Sequence, residues 1–353
     1  MKKHIAVLPG DGVGPEIVTQ ARVILDAVSA LFGHSFTYEE GLIGAAAIDE
    51  TGDPYPQSTH DLCKKSDAIL FGAIGDPRFD NDPSAKVRPE QGLLKMRKSL
   101  GLYANVRPIH TFASLLDASP LKREIVEGVD FVVVRELTGG IYFGEPRGRS
   151  DNRTRAFDTS VYTKEEILRV SRFAFELASK RRKKITVVDK ANVLETSRLW
   201  RETIQEYAEQ WKDIEVEYMF VDNASMQIIR RPSAFDVLLT ENMFGDILTD
   251  EASVITGSIG MLPSASIGAD TAIYEPIHGS YPQAAGKNTA NPVGTILSVA
   301  MMLEYSFGLH REAAAVYRAV TRAIEDGHGT RDIRRDSPES TTEFGAAIAR
   351  YIE

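Results

Sequence analysis

The sequence predicts an α/β protein built on a mostly parallel sheet. Two observations carry this: short β-branched runs alternate with helical patterns along the chain, and no repeat, low-complexity tract or long linker interrupts them. HIAVLP from His4 is the first strand. It leads into PEIVTQARVILDAVSALF, whose Pro15 is pre-organised for the first position of a helix. Further strands are expected in DAILFG from Asp67, DFVVVREL from Asp130, KITVVD from Lys184 and FDVLLT from Phe235. Thr163 and Glu166 form a capping box that starts a helix reaching about Arg182. From Ile141 to Tyr162 the texture turns rich in Gly, Arg and aromatic residues, which suits an antiparallel arm able to pair with its copy in a second subunit. An irregular surface loop accounts for that composition equally well.

A chain of 353 residues has room for two lobes, and 43% hydrophobic with 26% charged residues is ordinary globular composition. The net charge of -9 argues against a nucleic-acid or anionic-membrane surface. The longest apolar stretch, Val293 to Leu303, is too short to span a bilayer and is expected as a buried helix. Cys63 is the single cysteine, so no intramolecular disulfide forms and a reducing compartment is expected. The start, MKKHIAVLPGDG, has too short an apolar run for a secretory signal, which points to the cytoplasm.

The segment NMFGDILTDEAS from Asn242 to Ser253 carries the clearest chemical signal. Asp246 and Asp250 stand four residues apart in a helical pattern, so both carboxylates share one face. Like charges at this spacing cost about a few tenths of a kcal/mol. A hard, oxygen-preferring ion such as Mg2+ or Mn2+ would offset that cost. Two acids on a solvated helix would look the same in isolation, but Gly245 beside them lets another group approach the backbone.

Two glycine-rich segments fall short of phosphate-binding fingerprints. GDGVGP from Gly10 has Pro15 where a dinucleotide loop needs its third glycine, and Asp11 and Glu16 would repel a pyrophosphate. HGSYPQAAGKNTANP from His278 departs from the P-loop in spacing and has Asn288 after Lys287. It suits either a plain surface loop or one closing over a polar ligand. Arg97, Arg107 and Arg135 recur near predicted element ends, where each taken singly reads as a solvated cation. Arg135 follows four apolar strand residues, so its guanidinium needs an anionic partner, and three converging arginines would clamp a dicarboxylate. Tyr142 and Lys190 lie near carboxyl ends of strands, where open α/β sheets bind ligands. There a lysine can act as a base and a tyrosine as a proton donor, although either taken alone reads more readily as a surface or core-edge side chain.

Taken together, GDGVGPE, LLKMRKSLGLYANVRP, VVVRELTGGIYFGEPRG, VVDKANVLETSRLWRE, NMFGDILTDEAS, GMLPSASIG, EPIHGSYPQAAGKNTANP and AMMLEYSFGL resemble the isocitrate/isopropylmalate dehydrogenase family of β-decarboxylating dehydrogenases. The resemblance covers essentially the whole chain. It implies a two-lobed, non-Rossmann α/β fold. One lobe, residues 1–102 with 257–353, would bind the cofactor, and residues 103–256 would form a dimerisation and catalytic lobe. It further implies that Arg97, Arg107 and Arg135 hold the malate carboxylates, and that Asp222, Asp246 and Asp250 hold Mg2+ or Mn2+. Lys190 and Asp222 would come from the partner of a homodimer. Lys190 would be the base and Tyr142 the acid that protonates the enol carbon. Glu275, His278, Gly279, Ser280, Gln283, Ala284 and Asn291 would line the cofactor site.

Within that family, Leu93, Leu94 and, across the dimer, Val193 match an apolar pocket for an isopropyl group, while Glu90 would repel a third carboxylate. The expected reaction is therefore conversion of (2R,3S)-3-isopropylmalate to 4-methyl-2-oxopentanoate and CO2 with hydride transfer to NAD, a step of leucine biosynthesis. The alternatives are a tartrate/D-malate or homoisocitrate dehydrogenase. Gln283 and Ala284 replace the family's usual Asp and Ile, which exchanges a carboxylate grip on the ribose for amide contacts. No positive or Tyr pair for NADP is present at these positions, so NAD is expected. Glu241 stands where a Gly is common.

Overall fold

The computed structural model describes residues 1–80 and 87–353. The chain divides into two units, Met1–Leu100 with Ser258–Glu353, and Gly101–Gly257.

In the first unit the strands lie in the order Ser35–Glu40, Lys2–Gly10, Ala68–Ala73, Ala272–Pro276, Pro263–Ile267. The first four run parallel and only Pro263–Ile267 is antiparallel to its neighbour. Lys2–Gly10 and Ala68–Ala73 have the continuous apolar interiors expected of strands covered on both faces. The helix Gly14–Phe32 starts with Pro15 in its first turn and ends on Gly33 in the left-handed conformation. Every residue of the helix Val293–Met301 is buried, which accounts for its unbroken apolar sequence. Among the described residues no helix is long and apolar enough to cross a membrane.

In the second unit the order is Ala104–His110, Asp130–Glu136, Val237–Thr240, Lys184–Asp189, Glu215–Phe220. Here Ala104–His110 is the antiparallel member, with Asn105 opposite Arg135. The other pairings are parallel. Thr163 and Glu166 make the expected reciprocal cap, but the helix is Lys164–Ser179 and stops short of Arg182. Lys183 takes a left-handed conformation. Its N–H closes on the Ala178 carbonyl at 3.2 Å, and beyond the helix end Arg181 pairs with Asp236 at 2.8 Å and with Asp130 at 2.9 Å. In the Ile141–Tyr162 region the two short strands Gly148–Arg149 and Ala156–Phe157 pair antiparallel within the chain.

Candidate active site

In the second unit the helix Asn242–Ser253 organises the chemistry. Arg135, at the end of its strand, is 3% exposed. Its Nε and Nη2 donate to Asn242 Oδ1 at 3.0 and 2.7 Å, and its Nη1 pairs with Asp246. Gly245 makes this approach possible, because a Cβ there would stand 2.6 Å from Arg135 Cγ. The other oxygen of Asp246 accepts the Tyr142 hydroxyl at 2.8 Å. Arg107 reaches the same helix from the strand Ala104–His110. It donates to Thr249 Oγ1 at 2.6 Å and lies 3.7 Å from Asp250 Oδ1. Arg107, Arg135 and Tyr142 are thus gathered around the helix that carries Asp246 and Asp250.

The electrostatics of this group favour a charged acid beside a protonated phenol. Burial pushes the Asp246 carboxyl up, but the charge of Arg135, the Tyr142 hydroxyl and the charge of Arg107 outweigh it and hold it below the usual carboxylate range. Burial and the bond to Asp246 push the Tyr142 phenol up, so it keeps its proton at neutral pH. Asp250 remains largely open, its side chain 72% exposed.

Lys190 follows the strand Lys184–Asp189 and pairs with Asp222, on the helix Val221–Arg230; this contact lowers the Asp222 carboxyl. Arg201 grips both oxygens of the preceding Asp189 at 2.8 and 2.9 Å, so the base of the Lys190 turn is anchored. Val193 is exposed just ahead of the helix Glu195–Ala208. Among the described residues of one chain, no three acidic, His or Cys side chains stand together as a metal site. Asp246 and Asp250 share a helix face, and Asp222 belongs to a different helix.

The first unit holds the remaining positions. Glu90, Leu93, Leu94 and Arg97 fall on one face of the helix Pro89–Ser99 at three- and four-residue spacing. Arg97 is buried and donates to Glu275 Oε1 at 3.1 Å, while Glu90 and Leu94 are exposed and Leu93 is half-buried. The two glycine-rich segments prove to be joined. Val13 N–H donates to the Ser280 carbonyl at 2.8 Å, and Gly286 N–H donates to Glu16. A Cβ on Gly12, which has φ of 59°, would overlap that same Ser280 carbonyl. Asp11 is occupied in capping, accepting Ala45 N–H at 3.0 Å, Ala46 N–H at 3.1 Å and Gly75 N–H at 2.9 Å.

In the second loop, Gly279 and Gln283 are both exposed, whereas Ala284 packs with Val13, Ile17 and Ala290. Asn291 donates to Asp332 at 2.9 Å and accepts Val293 N–H, capping a helix. Burial lowers the His278 imidazole, so it is neutral at pH 7. Asn242 and Thr249 were not singled out from the sequence, although a strand arginine forced inward already demanded a polar side chain nearby.

Glu241 is buried beside Ser197, whose hydroxyl it accepts. Burial, with Asp189 and Glu136 nearby, pushes its carboxyl up to about 7, against 4.5 as the ordinary value. A raised folded-state value means that this group's contribution to stability is intact below about pH 4.5 and is lost as pH rises to about 7. The loss totals about 3 kcal/mol. Glu241→Gln, which keeps an acceptor for Ser197, is expected to raise the melting temperature clearly at pH 8 and little at pH 5. A gap that does not change with pH would show that the carboxylate is not penalised.

The family described as isocitrate/isopropylmalate dehydrogenase matches residues 4–348, and the chain belongs to this family of dehydrogenases. The 3-isopropylmalate dehydrogenase of Bacteroides fragilis is 55% identical over 354 residues, covering 100% of this chain and 99% of that protein. The one from Geobacillus kaustophilus is 58% identical over 333 residues, 94% of this chain and 90% of that protein. Among solved structures, isocitrate dehydrogenase from Methylococcus capsulatus is 36% identical with a TM-score of 0.88 and 99% of each chain covered. A β-decarboxylating dehydrogenase from Thermococcus kodakarensis in its apo form has a TM-score of 0.81 at 36% identity, covering 99% of this chain and 96% of the other.

Proposed function

We propose that this protein oxidises and decarboxylates (2R,3S)-3-isopropylmalate to 4-methyl-2-oxopentanoate and CO2, passing the hydride to NAD, as a step of leucine biosynthesis. The observation that carries the reading is the assembly of Arg135 and Tyr142 on Asp246, with Arg107 and Asp250 beside them at the same helix face. The names and high identity of the relatives favour isopropylmalate over tartrate, D-malate or homoisocitrate.

Arg97, Arg107 and Arg135 hold the substrate's carboxylates. Lys190 of the partner subunit removes the C2 hydroxyl proton as hydride leaves. After CO2 departs, Tyr142 delivers its hydroxyl proton to the carbon that carried it. Leu93, Leu94 and the partner subunit's Val193 receive the isopropyl group, and Glu90 disfavours a third carboxylate.

The donor set suits a hard divalent cation: two carboxylates share one helix face, and Asp250 is open. Asp246, Asp250 and Asp222 of the partner subunit would hold Mg2+ or Mn2+. Such an ion supplies Lewis acidity at the C2 hydroxyl and its neighbouring carboxylate. NAD supplies the hydride acceptor, with Glu275, His278, Gly279, Ser280, Gln283, Ala284 and Asn291 lining its site in a cofactor-binding first unit. The second unit is the dimerisation and catalytic domain. Exposed Met226, Ile247 and Val254 support a homodimer, because apolar side chains on adjoining helices need a cover. The single Cys63, buried and free, suits a cytoplasmic location.

NADH absorbance tests the reaction directly, with 3-isopropylmalate, D-malate, tartrate and homoisocitrate compared using NAD and NADP in parallel. The isopropyl substrate is expected to exceed D-malate in kcat/KM by about 100-fold. Equal or faster turnover of D-malate or tartrate would overturn the assignment. EDTA is expected to abolish turnover and added Mn2+ to restore it, whereas activity that survives exhaustive chelation would remove the metal from the mechanism.

A further inference from the structure

Asn242 has no place in the reaction proposed above, yet it is fully buried and bonded through its backbone and both ends of its side chain. Its Oδ1 accepts both Nε and Nη2 of Arg135. Its Nδ2 donates to the Gly139 carbonyl at 3.0 Å, and its backbone N–H donates to the Tyr162 hydroxyl at 2.9 Å. Gly139 is the residue before the short turn Gly140–Tyr142, which carries the phenol.

Tyr162 closes the same turn from another side. A Cβ at Gly139 would stand 2.7 Å from the Tyr162 ring, and one at Gly140, where φ is 71°, would overlap its hydroxyl. Gly140 N–H is also tied to the Val161 carbonyl at 3.0 Å. The turn is held from several sides: Gly139 N–H donates to the Glu136 carboxylate at 2.7 Å, Gly140 N–H to Val161, and the Asn242 amide fixes the Gly139 carbonyl between them. The same amide sets the plane of the Arg135 guanidinium and leaves Nη1 directed at Asp246.

We infer that Asn242 is a positioning residue that locks the Arg135 clamp and the Tyr142 proton donor into one geometry. The inference rests on the roles proposed for Arg135 and Tyr142. It requires an amide: a carboxylate would still accept from Arg135 but would face the Gly139 carbonyl with a second acceptor, and a methyl would lose both contacts.

The test is a double-mutant cycle with Tyr142→Phe, read as kcat and KM for isopropylmalate, with thermal melts to confirm folding. Asn242→Ala is expected to lower kcat by about 100-fold and to raise KM, because a displacement of the order of 1 Å at a reacting group has that effect. With Tyr142→Phe already present, the same substitution should cost kcat less than about threefold. Asn242→Asp should keep KM within about threefold of the parent, since it retains the acceptor for Arg135, and still lose kcat.

Equal losses in the two backgrounds, or an unchanged kcat in Asn242→Asp, would overturn the inference while leaving the proposed reaction intact. A Tyr142→Phe variant as fast as the parent would instead overturn the proton-donor role and this inference with it. If Asn242→Ala does not fold, the cycle is run with Asn242→Asp, and failure of both to fold would assign Asn242 to folding alone.

Discussion

Replacing Lys190 with alanine is expected to lower kcat by about 1000-fold while the protein still folds and melts near the parent temperature. A positioned acid or base contributes about 100- to 10,000-fold, and the lysine is the one proposed to take the hydroxyl proton. The fold should tolerate the change because Lys190 is only half-buried and pairs with an exposed carboxylate, a kind of contact that adds little to stability. The turn it sits on is held independently by Arg201 and Asp189. Steady-state NADH formation with calorimetry on the same sample checks both parts. A variant that turns over at the parent rate would remove Lys190 from the mechanism, and one that no longer folds would show its role to be structural.

Ile247→Lys should separate the proposed dimer and abolish activity together. Ile247 is 60% exposed on the helix that carries Asp246 and Asp250, Met226 is 54% exposed four residues after Asp222, and Val254 is 48% exposed one heptad beyond Ile247. A second copy that covers these side chains would enclose the new ammonium. Desolvating it costs several kcal/mol, so the dimer dissociation constant should rise by at least about 100-fold. Each chain would keep its own Arg135, Asp246 and Tyr142 but lose the partner's base and third carboxylate. Sedimentation mass and turnover, measured at one concentration, should fall together. A variant that stays dimeric, or a monomer that stays active, would contradict the shared site.

Much of the fold was legible because periodicity and local chemistry act over a few residues. The apolar runs beginning near His4, Asp67, Asp130, Lys184 and Phe235 are strands in the structure, and the Thr163–Glu166 cap starts its helix. Other strands escaped notice. Ser35–Glu40 alternates between half-buried and exposed residues and ends in two acids. Ala104–His110 contains Pro108, a residue that argues against a strand until its antiparallel partner, with Val132 opposite, is known. Glu215–Phe220 is similarly charged and only partly covered. Such segments become strands through the neighbour that pairs with them, which local composition does not record.

By itself the sequence determined that the protein is α/β, that it belongs with the β-decarboxylating dehydrogenases, and that Asp246 and Asp250 share a helix face. Those properties follow from spacing within an element or from long motifs. Only the tertiary structure decided that Arg135 would spend two N–H groups on Asn242, that Tyr142 would donate to Asp246 across 104 residues of chain, and that Glu241 would be buried. The reason is physical: a buried polar group must find its partner wherever packing places one, and that choice is made between elements distant in sequence.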